Sequence, residues 1–186
     1  VEIRDVYNTP QFERQITLPD RTQVMVDHLA KLLRQFGPEE KTIIFCVDMA
    51  HAQLVARLLN NHFENYLRIP GYAAAIVSNE PRAEQLLNQF QTGISRTPIV
   101  ATTAELLSTG VDVPACRNIV FMKTVSSTVM FKQIVGRGTR VDPSTKKLWF
   151  RVIDYTNATR LFDEWDRPPG PSPEELEGPF TGILTG

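Results

Sequence analysis

The 186-residue sequence has no CxxC pair, and its two cysteines, Cys46 and Cys116, stand far apart in apolar surroundings. Closely spaced thiols are what a structural zinc site or a disulfide framework requires, so neither is expected; both cysteines read as buried, reduced thiols. His28, His51 and His62 form no ligand spacing either, and no metal site is expected. No apolar run approaches the ~18 residues that would cross a bilayer, so no membrane partner is expected. Charge of one sign is not in excess, with 20 Lys and Arg against 21 Asp and Glu and a formal net charge of −1. Stand-alone nucleic-acid binders carry a basic surplus, so any such contact here must be local or shared with another domain. Also absent is G-x-x-x-x-G-K-[ST], the loop whose backbone amides cradle a β-phosphate. The opening Val1-Glu2-Ile3-Arg4 suits neither a signal peptide nor a natural start and reads as cut from something longer.

What is present is ordinary for a globular α/β chain: 42% hydrophobic and 22% charged residues, with length enough for one domain and a substantial core. Residues 1–19 are irregular and read as a lead-in segment. Asp20 is placed to cap a helix, with Gln23 bonding back, and Val26, Leu29, Leu33 and Phe36 recur at helical spacing until Gly37-Pro38. Thr42 to Val47 is a short apolar run that suits a strand buried on both faces. Asp48 caps a second helix bearing Leu54, Val55, Leu58 and Leu59. The alternation continues with strands at 73–77, 98–101, 118–122 and 148–155. Helices begin near Pro81 and Ser127, with a short segment at 104–107. Such alternation implies right-handed crossovers and a mostly parallel sheet covered on both faces, with ligands at the carboxyl ends of its strands. Arg167-Pro168-Pro169-Gly170-Pro171-Ser172-Pro173 can sustain neither helix nor central strand, so 20–166 reads as the domain and 167–186 as a linker.

The most informative stretch is Gln133-Ile134-Val135-Gly136-Arg137-Gly138-Thr139-Arg140. Two arginines three apart flank glycines just after an expected helix. Glycine lets the backbone turn and approach a ligand closely, and the arginine fork can bond two phosphate oxygens at once. A solvated basic turn is the plainer alternative on spacing alone. The octet resembles motif VI of superfamily two helicases. Val100 to Thr103 with Ser108 to Pro114 resembles motif V, and Lys41 to Cys46 resembles motif IV, all in the family's order. The resemblance implies a RecA-like three-layer sandwich, the second of two motor domains.

By that resemblance, Arg137 and Arg140 reach the γ-phosphate of ATP as arginine fingers, and Gln133 contacts the nucleotide or its attacking water. Gly110, Asp112 and Gly136 lie at the nucleotide, with a turn or capping role for Asp112 as the alternative. Thr102 and Thr103, at a strand end, and Ser78 and Asn79, just past another, are expected to touch the DNA backbone without reading bases. Strand-end and helix-cap roles stay open for these four. Lys123 and Lys132 read as solvated lysines. ATP and Mg2+ would be held mainly by the first RecA domain. No D-E-x-[HD] or D…E-x-K pattern is evident, so the chain alone is expected to bind ATP feebly and not to hydrolyse it.

Gly110 to Pro114, Phe121-Met122-Lys123, Gln133 to Arg140, and Val152 to Thr156 with Trp165 to Pro168 together resemble the restriction (R) subunits of type I restriction-modification enzymes. That implies a cytoplasmic, ATP-dependent translocase of double-stranded DNA. Its chain would add a first RecA-like domain and a nuclease domain, and methylase and specificity subunits would be its partners. Type III restriction subunits and other duplex translocases are the nearest alternatives. A non-catalytic RecA-like docking module, half of an RNA helicase, and a dinucleotide-binding enzyme are more distant ones.

Overall fold

The computed structural model describes residues 18–78, 80–93, 95–104, 113–136 and 149–164. Five strands form one sheet: β1 (Thr42–Phe45), β2 (Ala73–Ala75), β3 (Val100–Thr103), β4 (Asn118–Phe121) and β5 (Arg151–Asp154). Their order is β2-β3-β1-β4-β5, and every pairing is parallel. Helix α1 (Leu18–Phe36) precedes the sheet, α2 (Met49–Leu67) links β1 to β2, α3 (Ala83–Thr92) links β2 to β3, and α4 (Thr128–Gly136) follows β4. A short 3-10 helix, Ala158–Phe162, follows β5. This is the mostly parallel, doubly covered sheet that the alternating pattern implied.

Strand alternation assigns each side chain to a face. Ile44, Cys46, Val100, Val120 and Met122 join Val26, Leu29 and Leu33 of α1 and Val55, Leu59 and Phe63 of α2 in one core. Ile43, Phe45, Ala101, Ile119 and Phe121 join Phe90 of α3 and Phe131, Ile134 and Val135 of α4 in the other. Because β1 and β4 are buried on both faces, their sequences are mostly apolar runs rather than alternating ones. Phe121 is the hub of the second core, stacked on Phe45 at 6.0 Å and on Phe131 at 5.6 Å between ring centroids.

Helix ends follow local chemistry, with some departures from expectation. α1 starts at Leu18, two residues before Asp20, which lies in its first turn rather than capping it. Gln23 then bonds forward to Asp27 at 2.7 Å. Asp48 does cap α2, its side chain accepting from the His51 amide at 2.7 Å. α3 begins at Ala83, with Arg82 at its N-cap, so Pro81 stands outside it. Gly37 ends α1 at φ 147°, where a Cβ would meet Glu40 Cγ at 3.0 Å. Cys46 and Cys116 are buried thiols rather than a disulfide.

The amino edge of the sheet is held by Arg151, whose guanidinium lies 4.2 Å from the ring centroids of both Phe36 and Trp149. It also pairs with Glu40 and donates to the Asn118 side chain at 3.1 Å. The opposite, carboxyl edge is the side on which ligands of open α/β sheets gather.

Candidate functional site

At the carboxyl edge, backbone pairing runs one residue past the strands. Cys46 N donates to Thr103 O at 2.7 Å, Met122 N to Phe45 O at 2.9 Å, and Tyr155 N to Phe121 O at 3.0 Å. Ile76 N donates to Thr102 O at 2.8 Å. These bonds give the loops that leave the sheet a shared rigid base.

The β1–α2 corner is closed by His51. Its Nδ1 accepts from Val47 N at 3.2 Å, so the proton sits on Nε2, which faces Thr22 Oγ1 at 3.2 Å. Burial lowers the His51 pKa, and Arg21 pushes the same way, against Asp48. Beside it Val47 and Met49 remain exposed, and Ser78 Oγ approaches Met49 Sδ at 3.7 Å.

The β5 end carries a turn folded around one carboxylate. Asp154 Oδ1 accepts from Thr156 N at 2.8 Å, and Oδ2 accepts from Thr159 N at 2.7 Å and Thr159 Oγ1 at 2.8 Å. Burial alone would raise the Asp154 pKa, but donors from Thr159, Thr156 and Ala158 outweigh it and the net shift is downward. Thr156 Oγ1 is 2.9 Å from Lys123 O and 3.3 Å from Asp154 Oδ1; its single proton serves the nearer carbonyl. Lys123 Nζ in turn donates to Ala104 O at 3.0 Å. Lys123 was expected to be solvated; it is half-buried and bonded inward instead.

The expected site residues fall into three groups. Thr102 and Thr103 end β3 at the carboxyl edge, and Ser78 follows β2, the strand beside it. Thr102 is wholly buried, and its hydroxyl donates to Ala52 O at 2.7 Å, because even-numbered β3 positions face α2. Thr103 is also buried, pointing to the other face. Both side chains are thus buried, whereas Ser78 is exposed. Gln133 and Gly136 lie on the exposed side of α4, whose Phe131, Ile134 and Val135 are packed inward. Gly110, Asp112, Arg137, Arg140 and Asn79 lie outside the described residues, as do 1–17 and 165–186. Among the described residues no group of three His, Cys, Asp or Glu is placed to hold a metal ion.

This topology, and the segments its edge supports, correspond to a known family. The model of the helicase conserved C-terminal domain matches residues 24–142, well over half of the chain. The chain belongs to that family.

Two full-length relatives sharpen the placement of this helicase C-terminal domain. It is 35% identical over 158 residues to the type I restriction enzyme EcoAI endonuclease subunit of Escherichia coli, covering 84% of this chain and 20% of that protein. It is 31% identical over 166 residues to the EcoKI endonuclease subunit of Escherichia coli strain K12, covering 86% and 14%. The chain thus spans a fifth or less of these relatives. Among solved structures, it is similar to a fragment described as an HsdR subunit of a type I restriction enzyme from Vibrio vulnificus YJ016. There the identity is 42% and the TM-score 0.74, over 85% of this chain and 31% of that one. Domain 2 of the DEAD-box helicase Mss116p, at 16% identity and TM-score 0.56 over 79% of this chain and 54% of that one, shares the fold. These likenesses agree with the RecA-like fold and with the resemblance to type I restriction subunits drawn from the sequence.

Proposed function

We propose that this chain is the second motor domain of an ATP-dependent translocase of double-stranded DNA, the R subunit of a type I restriction enzyme. One observation carries the reading. The helicase C-terminal family match runs through Arg140, and the same chain is 35% identical over 158 residues to a type I endonuclease subunit. A generic helicase half accounts for the first likeness but not the second.

In this reading ATP lies between two RecA-like domains, with Mg2+ and the phosphate loop supplied by the first. Closure brings Arg137 and Arg140 onto the γ-phosphate, where fixed positive charge stabilises the transferring phosphoryl group. Gln133, on the exposed side of α4, is available to the nucleotide or its water; Gly110, Asp112 and Gly136 complete this wall. Hydrolysis reopens the cleft, and alternating grip on the DNA backbone moves the duplex. Ser78 and Asn79 make that grip. Backbone contacts suit the task because translocation must ignore sequence. A nuclease domain in the same chain, methylase and specificity subunits, and a cytoplasmic setting belong to the same proposal. Among the described residues no helix is long and apolar enough to cross a membrane.

The test is Arg140→Ala in the full-length protein. DNA-stimulated ATP hydrolysis should fall by roughly 10³-fold or more, the order an arginine finger contributes. DNA binding should hold within a few-fold. Near-normal turnover would remove the finger role.

A further inference from the structure

Among the described strands β2 is an outermost one, with β3 as its neighbour. Along such a strand alternate residues turn their backbone groups toward the neighbour, and the residues between turn theirs outward. Val100 N donates to Tyr72 O at 3.0 Å, and Ile76 N donates to Thr102 O at 2.8 Å. With the register Ala73 to Val100 and Ala75 to Thr102, the inward residues are Tyr72, Ala74 and Ile76. Ala73 and Ala75 therefore point their amides and carbonyls away from β3. An edge of this kind is a template on which another strand can pair.

At Ala73 the place of that strand is already taken. Asn60, on α2, donates from Nδ2 to Ala73 O at 2.9 Å and accepts at Oδ1 from Ala73 N at 2.8 Å. A carboxamide carries the same donor and acceptor as a peptide unit, so Asn60 meets Ala73 as a residue of a neighbouring strand would. Helix formation does not call for asparagine there. Asn60 lies inside a 19-residue helix, where alanine would be the better helix former. Its task is therefore at the edge of the sheet.

We infer that Asn60 guards the outer edge of β2 and keeps a second copy of this chain from pairing with it. A second copy is the partner that such an edge fits. Turned end for end, β2 offers itself a donor opposite each acceptor at its outward residues. Charged side chains and proline, the usual guards of an exposed edge, are missing from Ala73–Ala75, so nothing in the strand itself repels its twin. The block comes from α2 instead. This guard is independent of the motor reading above.

The experiment compares Asn60→Ala and Asn60→Asp in the full-length protein. Asn60→Ala opens the edge. Asn60→Asp also breaks the clamp, since a carboxylate cannot donate to Ala73 O, but it leaves a charge where a partner strand would lie. Both variants should melt below the unsubstituted protein, because a buried donor or acceptor loses its partner. Only Asn60→Ala should self-associate, with a sedimentation coefficient that climbs with concentration beyond that of the unsubstituted protein. Amide exchange locates the contact. In dilute Asn60→Ala the Ala73 amide should exchange roughly tenfold or more faster than in the unsubstituted protein, and it should slow again as association proceeds. A clamp with a purely structural role would weaken both variants and associate neither. Folded Asn60→Ala that sediments like the unsubstituted protein at every concentration overturns the inference. Equal association of the two variants, or association confined to unfolded protein, overturns it as well. Failure of both variants to fold would make Asn60 a requirement of the core and remove the guard role.

Discussion

The hydroxyl of Thr102 donates to the carbonyl oxygen of Ala52 at 2.7 Å, tying β3 to the first turn of α2. The bond lies wholly inside the first core, where it exchanges no partner with water.

Thr102→Val should therefore act on stability rather than on DNA. The shape is kept and one buried hydrogen bond is lost, a change worth about 1 kcal/mol. Urea unfolding should show that loss, while DNA affinity of the full-length protein stays within about twofold. A stable variant with much weaker DNA binding would return Thr102 to the interface.

His51 sets a pH dependence whose sign follows from its lowered pKa. Burial disfavours the charged ring in the folded state, whereas the unfolded chain titrates near the ordinary 6.5. Below that value the unfolded state binds more protons, so the stabilisation is complete above about 6.5 and is lost as pH falls through the folded pKa. Thermal midpoints measured from pH 8 to pH 5 should fall on acidification. In His51→Asn, which can still accept from Val47, the fall between pH 7 and 5.5 should be shallower although the starting midpoint is lower. Parallel curves for the two proteins would show that His51 does not titrate in this range.

Cys46 should be chemically silent in the folded protein. Burial pushes its thiol up to about 12, and the neighbouring Lys123 charge offsets only part of that. An aromatic disulfide reagent at pH 8 should therefore react with it only as fast as the protein opens, and at once in denaturant. Rapid labelling under native conditions would show the end of β1 to be open to solvent.

The central strands were legible because burial on both faces demands apolar runs, and Thr42–Phe45 and Asn118–Phe121 are such runs. The Asp48 cap was legible too, since its partner lies three residues away. Helix starts were less so: α1 begins at Leu18, two residues ahead of the Asp20 expected to cap it. For the site, the resemblance to motif V singled out Thr102 at a strand end but not which layer its hydroxyl would face, a matter of strand parity relative to α2. The Lys123–Ala104 bond joins residues 19 apart across an intervening strand, and no local pattern announces it. The Asp154 turn did have a signal, an aspartate closing a strand with threonines two and five residues on, which suits a side-chain-capped turn.

The order of the strands has a consequence for how the molecule is made. β1 lies in the middle of the sheet, yet both of its neighbours, β3 and β4, come later in the chain. During synthesis Ile43, Ile44 and Phe45 must wait for Val100 to emerge before one flank is covered, and for Asn118 before the other is. A nascent chain halted short of Phe121 keeps that sticky middle strand half open, available to chaperones, proteases or a second copy on the next ribosome.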